Sequence, residues 1–516
     1  MSIIFKTEER RVIPRLRSFD LALSTGELGL NENTLKNIKV KNEQAFIEQQ
    51  SELWKKNKNL SFAGDILGSA YVLGVAAEFQ NIAKYILDNS ESELDPLTKL
   101  AARLIRPTDT FVQIDDNASI AATTRHEIRK VKQALIAEPK NPIAWMELGR
   151  LYALEGQVKK GEKAIRNALS LDKDNRFIVR SASRFYHHFK GDPERSLYVV
   201  KSAEFAKKDP WLISADIAYS QVMNRFSRMT KVGELYVADN SQDIFSITEL
   251  ASALGTSEFK NGHSKQAKKY FRQSLLNPTD NSLAQVSWMA ENLSGFDVDT
   301  LKYELPLAFE AKAIYYYETG NFPESYDQAL LWQKDEPFSV RPIKAASYIL
   351  GFYYKKYNAS VELTKKGLQM DPTDVVLANN LVYYLVQDGQ IDEAITLFEK
   401  SIRNVIQNPE NYTNSEQMYC NATAGLILFK QNKVELGKNY YTKAIEISKK
   451  LKVWYLTELA TVNYVKAALN SNISDEEVEL LIQQLKETCR HSTQEDIKYI
   501  YSEILQQYDK RFEVPN

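Results

Sequence analysis

The stretch from Pro142 to Asn175, PIAWMELGRLYALEGQVKKGEKAIRNALSLDKDN, limits what this chain can fold into more than any other part of it. Trp145, Leu148, Gly149 and Tyr152 fall at helical intervals in one segment, and Gly161, Ile165 and Ala168 do so in the next. Small residues at these places let two antiparallel helices approach closely, while the aromatic and aliphatic ones fill the seam to the following helix. A helix pair of this kind cannot bury its apolar face alone, so the pattern must recur. It does, at a period close to the roughly 34 residues of one such repeat. Val179, Ser183 and Tyr186 with Ser196, Val200 and Ala203 follow directly, and Leu254 and Gly255 with Ala267, Phe271 and Ser274 come later. Four further repeats run in register from Pro306 to Leu451, with Gly320, Ala329 and Trp332 in the first, Tyr348, Ser360 and Gly367 in the second, Leu381, Gly389, Ala394 and Phe398 in the third, and Gly425, Gly437, Tyr441 and Ala444 in the fourth. Leu67, Gly68 and Tyr71, with Ala83 and Ile86, read as a degenerate repeat near the start. Only 19 Gly and 15 Pro in 516 residues leave little turn chemistry for a β-rich fold, and 44% hydrophobic with 26% charged residues is ordinary for a globular chain.

These landmarks resemble the tetratricopeptide repeat. The resemblance covers about 142 to 451 well and 60 to 100 weakly, and it implies an all-α solenoid, a right-handed superhelix of antiparallel helix pairs. The expected division is a basic N-terminal arm over 1–45, degenerate helical repeats over 46–138, an N-terminal array over 139–305, a C-terminal array over 306–451 and a helical cap over 452–516. Pro107 to Asn117 reads as a loop, and Asn281 to Leu305 as an interruption of the array. The cap is expected to begin two helices with capping boxes, Ser474 with Glu477 and Ser492 with Glu495.

No catalytic motif occurs: there is no phosphate-binding Gly-rich loop, no G-x-G-x-x-G and no G-x-S-x-G. His187 and His188 are adjacent and diverge by about 100° on a helix, so one helical face cannot offer both to a metal. Neither a metal nor a cofactor is expected. Cys420 and Cys489 are too few for a disulfide framework, the N-terminus lacks the long apolar core of a signal peptide, and no apolar stretch is long enough to span a membrane. The expectation is a cytoplasmic protein that does not enter membranes.

In the family the chain resembles, particular first-helix positions face the concave groove. In the C-terminal array they hold Ile314, Tyr317, Ala345, Ile349, Phe352, Tyr353, Tyr383, Val386, Tyr419, Leu426 and Phe429, which makes an apolar, aromatic groove. Tyrosine gives such a surface rigid contact area together with a hydroxyl for a peptide backbone. Asn379 and Asn380 join them, Asn380 at a position where peptide-binding members hold a ligand's amide. The clamp for chaperone tails is incomplete, because its other places carry Ala345, Ile349, Tyr419 and Thr423. The N-terminal array differs: Arg150, Arg180 and Arg184 fall on its concave positions, and 22 Lys or Arg stand against 13 Asp or Glu between Ala121 and Leu235. Arginine forks fit carboxylates and phosphates, so this basic patch suits an acidic peptide, a C-terminus or a nucleic-acid backbone. Pairing with Glu147 and Asp216 is the competing structural role. Arg10, Arg11, Arg15 and Arg17 form a basic knot in the arm, interleaved with Val12, Ile13, Leu16 and Phe19, which can dock on a partner or in the protein's own groove.

The resulting expectation is a non-enzymatic scaffold or adaptor that binds a polypeptide in the concave groove. Two alternatives stay open: a peptide-sensing regulator of the bacterial repeat type, and a nucleic-acid-binding helical repeat using the basic half. The net charge of −1 disfavours the second. A third possibility removes the groove as a binding surface, if the arm or the C-terminal helices fill it.

Overall fold

The computed structural model describes residues 8–25, 43–73, 76–89, 101, 117–239, 241–290 and 292–512. Every regular element among the described residues is helical, and the chain folds as an all-α helical-repeat solenoid. Its contacts divide it into two compact units, one holding Arg10–Val298 with Lys302–Ala308, the other Phe309–Asn516 with Asp299–Leu301 and the residues before Arg10.

In the first unit, α1 (Phe19–Ser24), α2 (Glu43–Lys56), α3 (Leu60–Leu73), α4 (Gln80–Asn89) and α5 (Asn117–Ala137) precede the regular pairs. These are α6 (Pro142–Leu154) with α7 (Val158–Leu171), α8 (Arg176–Lys190) with α9 (Pro193–Ser202), α10 (Pro210–Val222) with α11 (Met229–Ala238), and α12 (Thr248–Lys260) with α13 (Ser264–Ser274). A last helix, α14 (Asp280–Ala290), follows, and a short 3-10 turn (Thr300–Lys302) comes after it. Side-chain caps fix the starts: Asn141 accepts from the Ala144 N–H at 3.0 Å, and Asp192 from the Arg195 N–H at 2.8 Å. Gly149 and Gly161 set the close approach of α6 and α7, since a Cβ on Gly161 would stand 2.9 Å from the Gly149 carbonyl oxygen.

The second unit repeats the arrangement with α15 (Phe309–Glu318) and α16 (Phe322–Asp335), then α17 (Arg341–Phe352) and α18 (Tyr357–Met370). Next come α19 (Val375–Gln387) and a broken partner made of α20 (Ile391–Leu397), a π turn (Phe398–Ile402) and α21 (Arg403–Gln407). The last pair is α22 (Asn414–Lys430) with α23 (Val434–Leu451), and α24 (Trp454–Leu469), α25 (Asp475–Cys489) and α26 (Glu495–Phe512) complete the unit. Gly425 and Gly437 face each other as Gly149 and Gly161 do: a Cβ on Gly425 would lie 2.6 Å from the Tyr441 ring and 3.1 Å from the Gly437 carbonyl oxygen.

Several expectations need correction. Asn281 to Leu305 is not a plain interruption, because its first part is helix α14. Ser474 caps α25 through the Glu477 N–H, but Ser492 accepts from the Gln494 N–H at 3.2 Å rather than capping through Glu495. The reciprocal box forms instead at Thr413 and Glu416. The loop expected at Pro107 to Asn117 lies, except for Asn117, outside the described residues.

Candidate functional site

In each unit the first helices of successive pairs share an inner face, and that face carries a segment of the chain itself. In the first unit the segment is the arm. Residues 9–18 have no regular secondary structure, yet Arg10, Val12, Leu16 and Arg17 are all buried. The reason is a set of polar side chains on α12 and α14. The Asn281 amide donates to the Ile13 carbonyl at 3.1 Å, and the Gln285 amide donates to the Arg10 carbonyl at 3.1 Å. The same two side chains accept from the Arg10 guanidinium, at 3.0 Å for Asn281 and 3.1 Å for Gln285. Asp280 receives both Arg17 nitrogens, at 3.0 and 2.8 Å, and Arg15 Nε at 3.3 Å. Guanidiniums this deeply buried need such partners, because an unanswered charge in the interior is very costly. At the end of the arm the Phe19 N–H donates to Glu147 at 2.6 Å, and its ring packs edge-on against Phe177 at 5.2 Å. Of the knot, Arg11 is also buried, its Nη1 donating to the Arg10 carbonyl at 2.8 Å.

Two arginines of the expected basic patch, Arg150 and Arg180, belong to the same network. Arg180 is buried and forks onto Glu249 through contacts of 3.0 to 3.3 Å, with the Trp211 ring 4.9 Å away. Glu249 in turn accepts from Asn281 at 3.1 Å, which joins Arg180 to the seat of the arm. Arg150 pairs with Glu147 at 2.9 Å, and Arg184 is half-buried one turn from Arg180. The pairing with Glu147 weighed from the sequence is therefore present. Asp216 accepts from Ser227, and Glu249, which the sequence did not single out, takes Arg180. Lys159, Lys160, Lys163 and Arg166 are exposed on α7.

In the second unit the inner face carries α26. Tyr317, Ile349, Phe352, Asn379, Asn380, Tyr383 and Phe429 are all at most 5% exposed, and Tyr353 is half-buried. Tyr499 of α26 stands 5.2 Å from the Tyr353 ring, 6.0 Å from Phe352 and 6.1 Å from Phe322. Where a partner was expected to lie, the chain's own last helix packs, held by its apolar residues Ile497, Ile500 and Ile504. Asp496 pins its first turn by accepting from the Tyr348 hydroxyl at 2.8 Å and the Tyr455 hydroxyl at 3.0 Å. Burial, reinforced by this carboxylate, holds Tyr317, Tyr348 and Tyr455 well above the ordinary tyrosine value, so all three stay protonated. Asn379 is fully buried, with no hydrogen-bond partner for its amide among the described residues. Alongside α26 the groove stays open as a cavity of about 480 Å³, walled by residues of α19, α22 and α24 and by α26 itself.

Segments 143–175 and 418–451 match the family model described as tetratricopeptide repeat. The chain carries tetratricopeptide repeats at these two places. Both matched segments keep a glycine on each of the two facing helices, Gly149 with Gly161 and Gly425 with Gly437. No curated protein matches the chain. Among the described residues no group of acidic, His or Cys side chains could hold a metal ion, and no helix is long and apolar enough to cross a membrane.

The residues that do most in these grooves were not singled out from the sequence. Asp280, Asn281, Gln285 and Glu249 hold the arm, while Asp496 and Glu503 anchor α26. A signal existed for the first group: Asn281 and Gln285 are four apart, hence on one face, in a helix whose other buried residues are mostly apolar or small.

Proposed function

We propose that this protein is a non-enzymatic interaction scaffold whose grooves bind polypeptide segments, with the arm and α26 acting as built-in ligands that a partner polypeptide displaces. One observation carries the reading. The Asn281 and Gln285 side chains hold main-chain carbonyls of the arm while carboxylates take its arginines, which is a sequence-tolerant grip on an extended peptide combined with a charge filter. On this reading the first groove selects extended basic segments, and the second selects helices presenting an apolar face to Tyr317, Ile349, Phe352, Tyr353, Tyr383 and Phe429. The nucleic-acid alternative loses its main support, since Arg150 and Arg180 already answer Glu147 and Glu249.

The test is affinity capture from host lysate with a chain lacking residues 1–25 and retaining its helicity. A protein captured by this variant and competed off by a synthetic peptide of residues 8–19 supports the proposal. Capture that the peptide does not affect, or no capture, refutes it, as does failure of the peptide itself to bind the truncated chain.

A further inference from the structure

The cavity beside α26 has the wrong charge for a structural packing defect. Lys355 and Lys466 line it together, and one carboxylate, Glu503, answers them, at 2.8 Å from Lys355. Lys466 makes no ion pair among the described residues. By contrast, the buried Lys344 has both Glu8 and Asp374, and Arg180 has Glu249 to itself among the ion pairs named above. Here two ammonium groups crowd one partner, and Lys430 and Lys510 add further positive charge to the lining. Burial, with the neighbouring Lys466 ammonium, lowers the Lys355 amine to about 8, and burial likewise lowers Lys466. A second observation is independent of charge. Lys355 occupies the turn after α17 with φ +55°, where the flanking repeats of this unit place Gly320, Gly389 and Asn432. A left-handed backbone costs a lysine about 1–2 kcal/mol relative to glycine, so Lys355 sits there against the local backbone preference.

We propose that this cavity is a binding site for a small phosphate monoester, with Lys355 and Lys466 clasping the phosphate and Phe429, Leu426 and Tyr383 receiving the organic group. Its volume lies in the range of small-molecule sites, roughly 300–1,000 Å³. Four lysines against Glu503 leave an excess of positive charge that a dianion offsets more fully than a lone carboxylate does. Tyr357, Tyr383 and Asn463 line the same space and add neutral polar groups to it. Because α26 forms one wall through Glu503, Ile504 and Gln507, a bound ester also strengthens the seating of that helix.

The experiment is thermal denaturation and calorimetric titration of the full chain with phenyl phosphate, inorganic phosphate and benzoate at matched ionic strength. Phenyl phosphate is expected to bind saturably and to raise the melting temperature, with inorganic phosphate and benzoate weaker on the order of tenfold, since each lacks either the aromatic packing or the second charge. Lys466→Met is expected to raise the melting temperature of the ligand-free protein, because it removes a cation crowded against Lys355, and to abolish the stabilisation by phenyl phosphate. Two variants at the exposed lysines, Lys430→Glu and Lys510→Glu, threaten folding least and should each weaken binding severalfold. No saturable binding of phenyl phosphate, equal binding of inorganic phosphate or benzoate, or undiminished affinity in the Lys430 and Lys510 variants overturns the proposal. So does a ligand-free Lys466→Met protein that melts lower than wild type, the result of a purely structural lysine.

Discussion

Replacing Asp496 by alanine tests whether α26 is a docked segment or an inseparable part of the second unit. The Asp496 carboxylate is fully buried and accepts two tyrosine hydroxyls, Tyr348 at 2.8 Å and Tyr455 at 3.0 Å. Hydrogen bonds to a charged acceptor contribute about 1.5–3 kcal/mol each, and their loss also strands two buried hydroxyls. Water entering the space vacated by the carboxylate recovers part of this, leaving a net loss of about 3 kcal/mol in the docking of α26. The helix keeps its apolar anchors Ile497, Ile500 and Ile504, so it opens more often rather than detaching. About 3 kcal/mol corresponds to a rise on the order of a hundredfold in the opening equilibrium. Hydrogen exchange followed by mass spectrometry reads this directly as faster exchange across residues 495–512, with α15 to α19 unchanged. Lys498→Ala is the control, because its pair with Glu495 is a surface contact worth about 0–1 kcal/mol. Unchanged protection of 495–512 in Asp496→Ala, or uniform loss throughout the unit, would refute the view that the carboxylate pins a separable helix.

Three further outcomes are expected. Asp280→Ala removes the shared acceptor of Arg15 and Arg17 and should weaken seating of the arm by about 3–5 kcal/mol, seen as faster tryptic cleavage within residues 10–17; an unchanged cleavage rate counts against the groove-bound arm. Gly161→Ala and Gly68→Ala make the same chemical change with opposite signs. The first forces a Cβ to 2.9 Å from the Gly149 carbonyl oxygen and should cost about 1–2 kcal/mol net of helix propensity, while the second meets nothing within 4 Å and should stabilise by about 0.5–1 kcal/mol in denaturant melts. Burial raises the Glu458 carboxyl from 4.5 to about 7, so the folded state holds a proton that the unfolded chain releases in that window. Stability should therefore fall as pH rises from 4.5 to about 7, and Glu458→Gln should flatten that slope, matching wild type below the window and exceeding it above; parallel profiles would contradict the assignment.

The repeat architecture was legible because its determinants are local and periodic. Gly149, Gly161, Gly425 and Gly437 sit at the intervals that let two helices touch, and Asn141 and Asp192 cap helices within their own turn, so reading along the chain finds them. The π turn at Phe398–Ile402 left no such mark, since the repeat landmarks Ala394 and Phe398 stay in place around it. The arginines of the arm were conspicuous as a charged cluster, and Tyr353, Tyr383 and Phe429 as an aromatic face, because composition and spacing reveal what a surface is made of.

What covers such a surface is another matter. Arg17 meets Asp280 across 263 residues of sequence, Arg180 meets Glu249 across 69, and Tyr348 meets Asp496 across 148. No periodicity links positions so far apart, and Asp280, Asn281, Gln285 and Asp496 look individually like ordinary helix residues. The sequence by itself determined the helix pairs, their stacking and the chemistry of their inner faces, because those follow from side chains three or four residues apart. Only the tertiary structure decided that the arm and α26 lie on those faces, because burying a guanidinium or a carboxylate depends on a partner that the fold, not the local chain, brings within reach.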